Sequence, residues 1–360
     1  MIYLDNAATT PISNMVFREM MPFLVDNYAN PSSPYTIGRN AKKAIEKARN
    51  QVAAAIKAEP RQIFFTSGAT ESNNIVMRSF NHIVCSNVEH ASVKGTEFNI
   101  FGNYAEQIPE IINSIREAKS RARICVSTML VNNETGAIFP IAEIAAIAQR
   151  CGAMFHTDAS QAFGHVPIDA NKLDCDFMTL APHKFFAPKG VGILYIREPD
   201  LFNTDIVGGG QEKGIRSGTE NVAAIVAAGK AAELFPYKLV QATKDEAMYG
   251  KLTKLLAEKI KRDYQINREI RFDYIPNIVS MSIKNVEAES VLLLLDSKDI
   301  CVSAGSACHS GNLSKSKILA AMNVPDDYAY GTIRISFNEY NNLAEIELFV
   351  NTLAKILRAI

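Results

Sequence analysis
The 360-residue chain sets 38 Lys and Arg against 38 Asp and Glu, so no net field steers it toward DNA or an anionic membrane. With 48% hydrophobic and 21% charged residues it is globular rather than disordered, and long enough for two domains with separate cores. Its six cysteines are scattered without a C-x-x-C pair, which excludes a zinc module or a disulfide framework and fits a reducing, cytoplasmic setting.

The first residues, MIYLDNAATTP, lack the basic-then-apolar pattern of a signal peptide. In chain order, IFFT (63–66), IVCS (83–86), RICVSTMLV (123–131), AMFHTD (153–158), FMTLA (177–181) and GVGILYIR (190–197) predict strands. Between two of them, Ile141, Ile144, Ala145 and Ala148 recur at helical spacing. This alternation predicts an α/β fold, a mostly parallel sheet with helices on its faces, in a domain ending near residue 239. A long amphipathic helix over 238–262, with Met248, Leu252, Leu255, Leu256 and Lys259 in register, leads out of it. The runs IVSMSI (278–283), VLLLL (291–295), CVSA (301–304) and IRISF (333–337) then predict a smaller α+β domain, and VLLLL is far below the ~20 residues needed to span a bilayer.

In an open α/β sheet, ligands collect beyond the carboxyl ends of the strands. Five polar or small segments fall there: SGATESNN, SNVEH, VNNETG, DASQ and APHK. Lys184 follows His183 just beyond an apolar strand, and desolvating a lysine amine favours its neutral, nucleophilic form. Asp158 ends the preceding strand. A Schiff-base lysine with a carboxylate for a pyridinium nitrogen is what pyridoxal phosphate needs, although a buried Lys–Asp ion pair without cofactor fits the same two residues. Ser67, Gly68, Ala69 and Thr70 form a strand-to-helix turn that suits a phosphate or a plain helix cap. GGGQEKGIRSGTEN (208–221), with Arg216 and Thr219, reads as further donors or as a flexible connection.

Cys308 lies in the small, polar stretch SAGSACHSGNLSKS, where a thiol is reactive rather than packed. The other five cysteines sit in or beside regular elements, where burial is expected, with Cys301 the nearest decoy. His90 ends SNVEH and suits ring stacking or proton transfer, or a structural role. His156 and Asp158 share one face of a strand, but a metal site would need ligands the sequence does not offer. Arg334 suits a carboxylate clamp or a surface ion pair.

Taken together, YLDNAATT (3–10), NPSSPYTIGR (30–39), FTSGATESNN (65–74), VEH (88–90), VNNETG (131–136), DASQ (158–161), HKFFAPKGVG (183–192), GGGQEKGIRSGTEN (208–221), GSACHSG (305–311) and IRIS (333–336) resemble the cysteine desulfurases of the NifS/IscS type. These belong to the class V aminotransferase group of fold-type I pyridoxal phosphate enzymes. The resemblance runs through nearly the whole chain, and GSACHSG is similar to the NifS/IscS loop rather than to the R-x-G-H-x-C pattern of SufS-like members.

It implies pyridoxal 5'-phosphate as cofactor, held by Lys184 as a Schiff base. Asp158 is implied at the pyridinium nitrogen, Gln161 at the ring hydroxyl, and His90 stacked on the ring and assisting proton transfer. Ala69, Thr70 and His183 are implied at the phosphate. Thr219 would reach the phosphate of a neighbouring subunit in a homodimer, while Asn133 and Arg334 would orient the substrate carboxylate. Cys308 would take sulfur from L-cysteine, release L-alanine, and pass the persulfide to an acceptor protein for iron–sulfur cluster or thio-cofactor and tRNA biosynthesis. The domains implied are 15–239, binding the cofactor, and 1–14 with 240–360, carrying the Cys308 loop. Selenocysteine lyase or another class V lyase or aminotransferase is the alternative reading, and a catalytically silent pyridoxal-phosphate-binding interaction protein is the alternative of another class. The chain departs from the family at Ala181, where a serine is common and Thr179 or a water would substitute, and at Tyr35, where a histidine is common. Its end at LRAI lacks the tail that longer IscS-like members use to dock a scaffold, which points to the reaction more than to general cluster assembly.

Overall fold
The computed structural model describes residues 1–304 and 316–360, apart from the side chain of Leu239. The chain divides into two compact units, one of residues 10–130 and 140–237, the other of residues 1–9, 131–139 and 238–360.

The first unit is built on a seven-stranded sheet. Its order is Ile63–Thr66, Gly192–Ile196, Phe177–Leu180, Met154–Asp158, Ile124–Ser127, His82–Ser86 and Thr96–Phe98. Gly192–Ile196 runs antiparallel to both neighbours and every other pairing is parallel. Ile63–Thr66, Ile124–Ser127, Phe177–Leu180 and Gly192–Ile196 are buried along their length, as expected of strands covered on both faces, so they read as continuous apolar runs rather than alternating ones. Helix Ile141–Arg150 buries Ile141, Ile144, Ala145 and Ala148, as its spacing requires. Helix Val222–Leu234 is apolar nearly all round and is buried accordingly. Helix Thr36–Ile56 packs so closely against it that a Cβ at Gly229 would lie 2.4 Å from the Ala48 Cα.

The second unit holds an antiparallel sheet ordered Tyr264–Ile266, Ile278–Ile283, Thr332–Ser336 and Ser303–Ala304. Helices Leu239–Lys259 and Leu343–Ala359 cover it, joining Met248, Leu252, Leu256, Phe349 and Leu353 to Met281 and Ile335 in one core. The VLLLL run lies in helix Ala288–Asp296, where Val291 and Leu295 face inward and Leu293 outward. Val131–Phe139 joins this unit rather than the large domain that the sequence suggests. Its strand Ala137–Ile138 pairs with Asp273–Tyr274, a partner more than 130 residues away that local pattern does not reveal. Thr10–Asn14 conversely falls with the first unit. Among the described residues no helix is long and apolar enough to cross a membrane.

Candidate active site
Within the first unit, the carboxyl ends of the parallel strands gather the residues singled out from the sequence. Asp158 closes Met154–Asp158 and is buried. Its Oδ2 accepts from Asn73 Nδ2 at 2.8 Å, and its Oδ1 accepts the Ser160 N–H at 2.9 Å. Burial alone would raise its carboxyl, but these bonds and the Lys184 charge override it and hold the group below the usual carboxylate range. Asp158 therefore stays ionised.

Lys184 ends the short turn Pro182–Lys184 after the neighbouring strand Phe177–Leu180. Thr10 fixes this turn. Its N–H and hydroxyl donate to the His183 carbonyl at 2.9 and 3.0 Å, and its Oγ1 accepts the Phe186 N–H at 2.8 Å. Phe186 sits at φ 71°, a left-handed conformation that costs a non-glycine residue and needs such support. The Lys184 charge acts on Asp158, His90 and His183, so these four groups form one electrostatic cluster. Burial and the charges of Lys184 and Lys189 push His183 down to about 4.

His90 follows strand His82–Ser86 and bonds through Nδ1 to Ser92 Oγ at 2.8 Å. Burial lowers its pKa, Asp158 works against this, and Lys184 works with it. A concavity of about 430 Å³ opens beside His90 and Thr70, with Met77 and Lys94 also on its wall. His156, behind Asp158, is fully buried between Ser127 Oγ at 2.8 Å and Thr179 Oγ1 at 3.1 Å. Burial lowers its pKa, so it is a neutral support. Thr179, offered as a substitute for the serine absent at Ala181, is buried, and its hydroxyl bonds His156; Ala181 is itself buried. Tyr35 is 53% exposed, at the start of helix Thr36–Ile56.

Ala69 and Thr70 open helix Ala69–Arg78, whose first amides lack an intrahelical acceptor. Gly192 allows this turn its place, because a Cβ there would lie 2.4 Å from the Gly68 carbonyl carbon and from Thr66 Oγ1. The glycine-rich segment is pinned at two points rather than merely flexible. Glu212 takes Arg49 in a two-pronged pair at 2.7 and 2.8 Å and also accepts the Phe65 N–H. Arg216 donates to Glu71 at 3.1 Å. Thr219 is left exposed.

The second unit brings Arg334 and Asn133 together. Arg334 is buried, donating from Nη1 to the Asn133 carbonyl at 2.9 Å and from Nη2 to Asp5 at 2.8 Å. Its Nε has no partner among the described residues. The ion pair expected as an alternative is therefore present, with Asp5, but it is buried on the Arg334 side rather than at the surface. Glu134, beside Asn133, accepts from Ser316 Oγ, and burial raises its carboxyl to about 7 against that bond and Arg334. Cys308 lies outside the described residues. Of the remaining cysteines, 85, 125 and 175 are buried as expected, while 151 and 301 are half-buried. Burial and then the nearby Asp296 and Asp5 raise the Cys301 thiol, which makes it a poor nucleophile. No cluster of metal-ligating residues occurs among the described residues.

The donor set fits pyridoxal phosphate. Gln161, 5% exposed, keeps a buried Oε1 with no partner among the described residues, an acceptor waiting for a ring hydroxyl. Asp158 offers an ionised oxygen, and Lys184 lies within its field. Sequence reasoning did not single out Asn73, Ser92, Glu89 or Asp5. Asp5, Asn73 and Glu89 lie inside quoted motifs, but only the folded chain shows what they bind.

A family model described as aminotransferase class-V matches residues 2–349. The chain is 38% identical to cysteine desulfurase 2 of Trichormus variabilis, over 100% of this chain and 94% of that one. It is 37% identical to cysteine desulfurase IscS of Dictyoglomus turgidum, over 99% and 94%. Among solved structures, a NifS-like protein from Rickettsia africae superposes with a TM-score of 0.88 at 33% identity, covering 99% of both chains. With its strand-end lysine, aspartate and histidine in one cluster, the chain belongs to the class-V aminotransferase family, among the NifS/IscS-like cysteine desulfurases.

Proposed function
We propose that the chain takes sulfur from L-cysteine onto Cys308 and releases L-alanine, using pyridoxal phosphate. The observation that carries this reading is the cluster of Lys184, ionised Asp158 and His90, together with a buried Gln161 Oε1 that has no partner among the described residues. When bound, pyridoxal phosphate supplies an electron sink for the bonds at the substrate Cα. Lys184 holds the cofactor and moves the Cα proton. Asp158 keeps the pyridine nitrogen protonated, Gln161 takes the ring hydroxyl, and His90 covers the ring. Ala69, Thr70 and His183 receive the phosphate, with neutral His183 adding a hydrogen bond rather than a charge.

Arg334 and Asn133 orient the substrate carboxylate. The Cys308 thiolate attacks the substrate sulfur, an S–S bond forms as the C–S bond breaks, and the carbon side takes a proton and leaves as alanine. The persulfide then passes to an acceptor protein. The exposed Met15, Phe17, Met21 and Leu24 support a homodimer, in which Thr219 would reach the neighbouring subunit's phosphate. The scattered cysteines, with no disulfide among those described, suit a cytoplasmic setting. The relatives named cysteine desulfurase do not favour the lyase, aminotransferase or silent alternatives.

Borohydride reduction of the pyridoxal-phosphate-loaded protein, followed by peptide mapping, tests the cofactor assignment. The label is expected on Lys184. A label on another lysine, or none, would overturn it.

A further inference from the structure
His90 carries a tautomer that its neighbours dictate. Its Nδ1 lies 3.2 Å from the backbone N–H of Ser92, and an N–H can only donate, so Nδ1 is an acceptor. The same nitrogen lies 2.8 Å from Ser92 Oγ. Because Nδ1 accepts, that hydroxyl points its hydrogen at His90 and turns a lone pair to Asn73. The Asn73 side chain faces Asp158 Oδ2 at 2.8 Å, and an ionised carboxylate accepts only, so the facing atom is the amide nitrogen. The second hydrogen of that nitrogen goes to Ser92 Oγ at 2.8 Å. Ser92 Oγ thus accepts from Asn73 and gives its own hydrogen to His90.

We propose that Asn73 and Ser92 are positioning residues which, anchored on Asp158, hold His90 neutral with its proton on Nε2 and bar Nδ1 from taking one. The proposal rests on the reading of His90 as a residue of the reaction and says which of its nitrogens takes part. Two donors from Ser92 converge on Nδ1, so a proton there would face two others. Nε2 is then the nitrogen through which His90 meets cofactor or substrate. The relay also makes the Asp158 carboxylate and the His90 imidazole one hydrogen-bonded unit. The charged groups acting on His90 are Asp158, at a strand end, and Lys184, in the turn after the next strand. Lys94 stands on the wall of the same concavity.

Proton–nitrogen correlation NMR of the full chain with nitrogen-15 histidine, with and without pyridoxal phosphate, tests this. His90→Asn assigns the signal among the six histidines. The wild type is expected to show His90 protonated at Nε2 alone at neutral pH. Ser92→Ala, checked for wild-type melting, should raise its titration midpoint by about half to one pH unit, and Ser92→Thr should restore it. A wild-type His90 protonated at Nδ1 would overturn the proposal without any variant, as would a midpoint that Ser92→Ala leaves in place. The stated tautomer in a protein that makes no alanine from L-cysteine supports this inference while overturning the functional reading. Alanine formation with His90 protonated at Nδ1 overturns this inference alone.

Discussion

Glu89 accepts the backbone N–H of Met129 at 2.8 Å, and through this bond the segment leaving one parallel strand is tied to the segment leaving its neighbour. The same oxygen, Oε1, accepts from Ser86 Oγ, while Oε2 is buried without a partner among the described residues. Burial raises this carboxyl to about 8 against those two bonds, with Asp158 adding to the rise. The folded chain therefore holds a proton on Glu89 between the usual carboxylate value and about 8, where the unfolded chain has lost it. The Glu89 contribution is fully present below the unfolded value and is lost as pH climbs to about 8. Glu89→Gln, which mimics the protonated acid, should flatten this loss. Urea unfolding at pH 5 and pH 8 should show the variant losing on the order of 2–4 kcal/mol less than wild type across that interval. Equal losses in both proteins would show that Glu89 is ionised in the folded state.

The Arg49–Glu212 pair anchors the segment that carries Thr219, with both side chains at 5% exposure or less. Breaking a buried pair strands a charge, at about 3–5 kcal/mol. Arg49→Met is expected to cost that much in thermal or urea unfolding, and adding Glu212→Leu should recover most of it. A cost that the double variant fails to relieve would mean packing, not charge, is at stake.

Gly192→Ala drives a methyl group into the Gly68 carbonyl and Thr66, directly behind the Ala69–Thr70 turn. Backbone does not yield cheaply, so the turn is displaced at about 1–3 kcal/mol. Equilibrium dialysis should show weaker retention of pyridoxal phosphate. Unchanged retention would place the phosphate elsewhere.

Arg334→Lys keeps a charge but loses the fork that joins the Asn133 carbonyl and Asp5. For a substrate carboxylate held by charge-assisted bonds, KM for L-cysteine should rise about 10- to 100-fold with a smaller change in kcat. A fall in kcat alone would remove Arg334 from substrate binding.

Much of this was legible in the sequence because buried parallel strands announce themselves as apolar runs, and IVSMSI is a strand over its full length. The edge strand Thr96–Phe98 was not, since two of its three residues are exposed and nothing in its pattern demands burial. Asp158, which ends a strand, and His90, in the segment just beyond one, could be found by position. Arg49 and Glu212 could not, because 163 residues separate two charges that only the fold brings together. Ser92 looks like an ordinary loop serine until Asn73 is placed against it. The glycine-rich stretch reads as flexible by composition, whereas Glu212 and Arg216 fasten it.

Alanine and protein-bound persulfide measured after addition of L-cysteine, in wild type and in Cys308→Ala, test the central claim most directly. Wild type should form both and Cys308→Ala neither. Equal alanine from the two proteins would show that Cys308 is not the nucleophile and contradict the sulfur-transfer account.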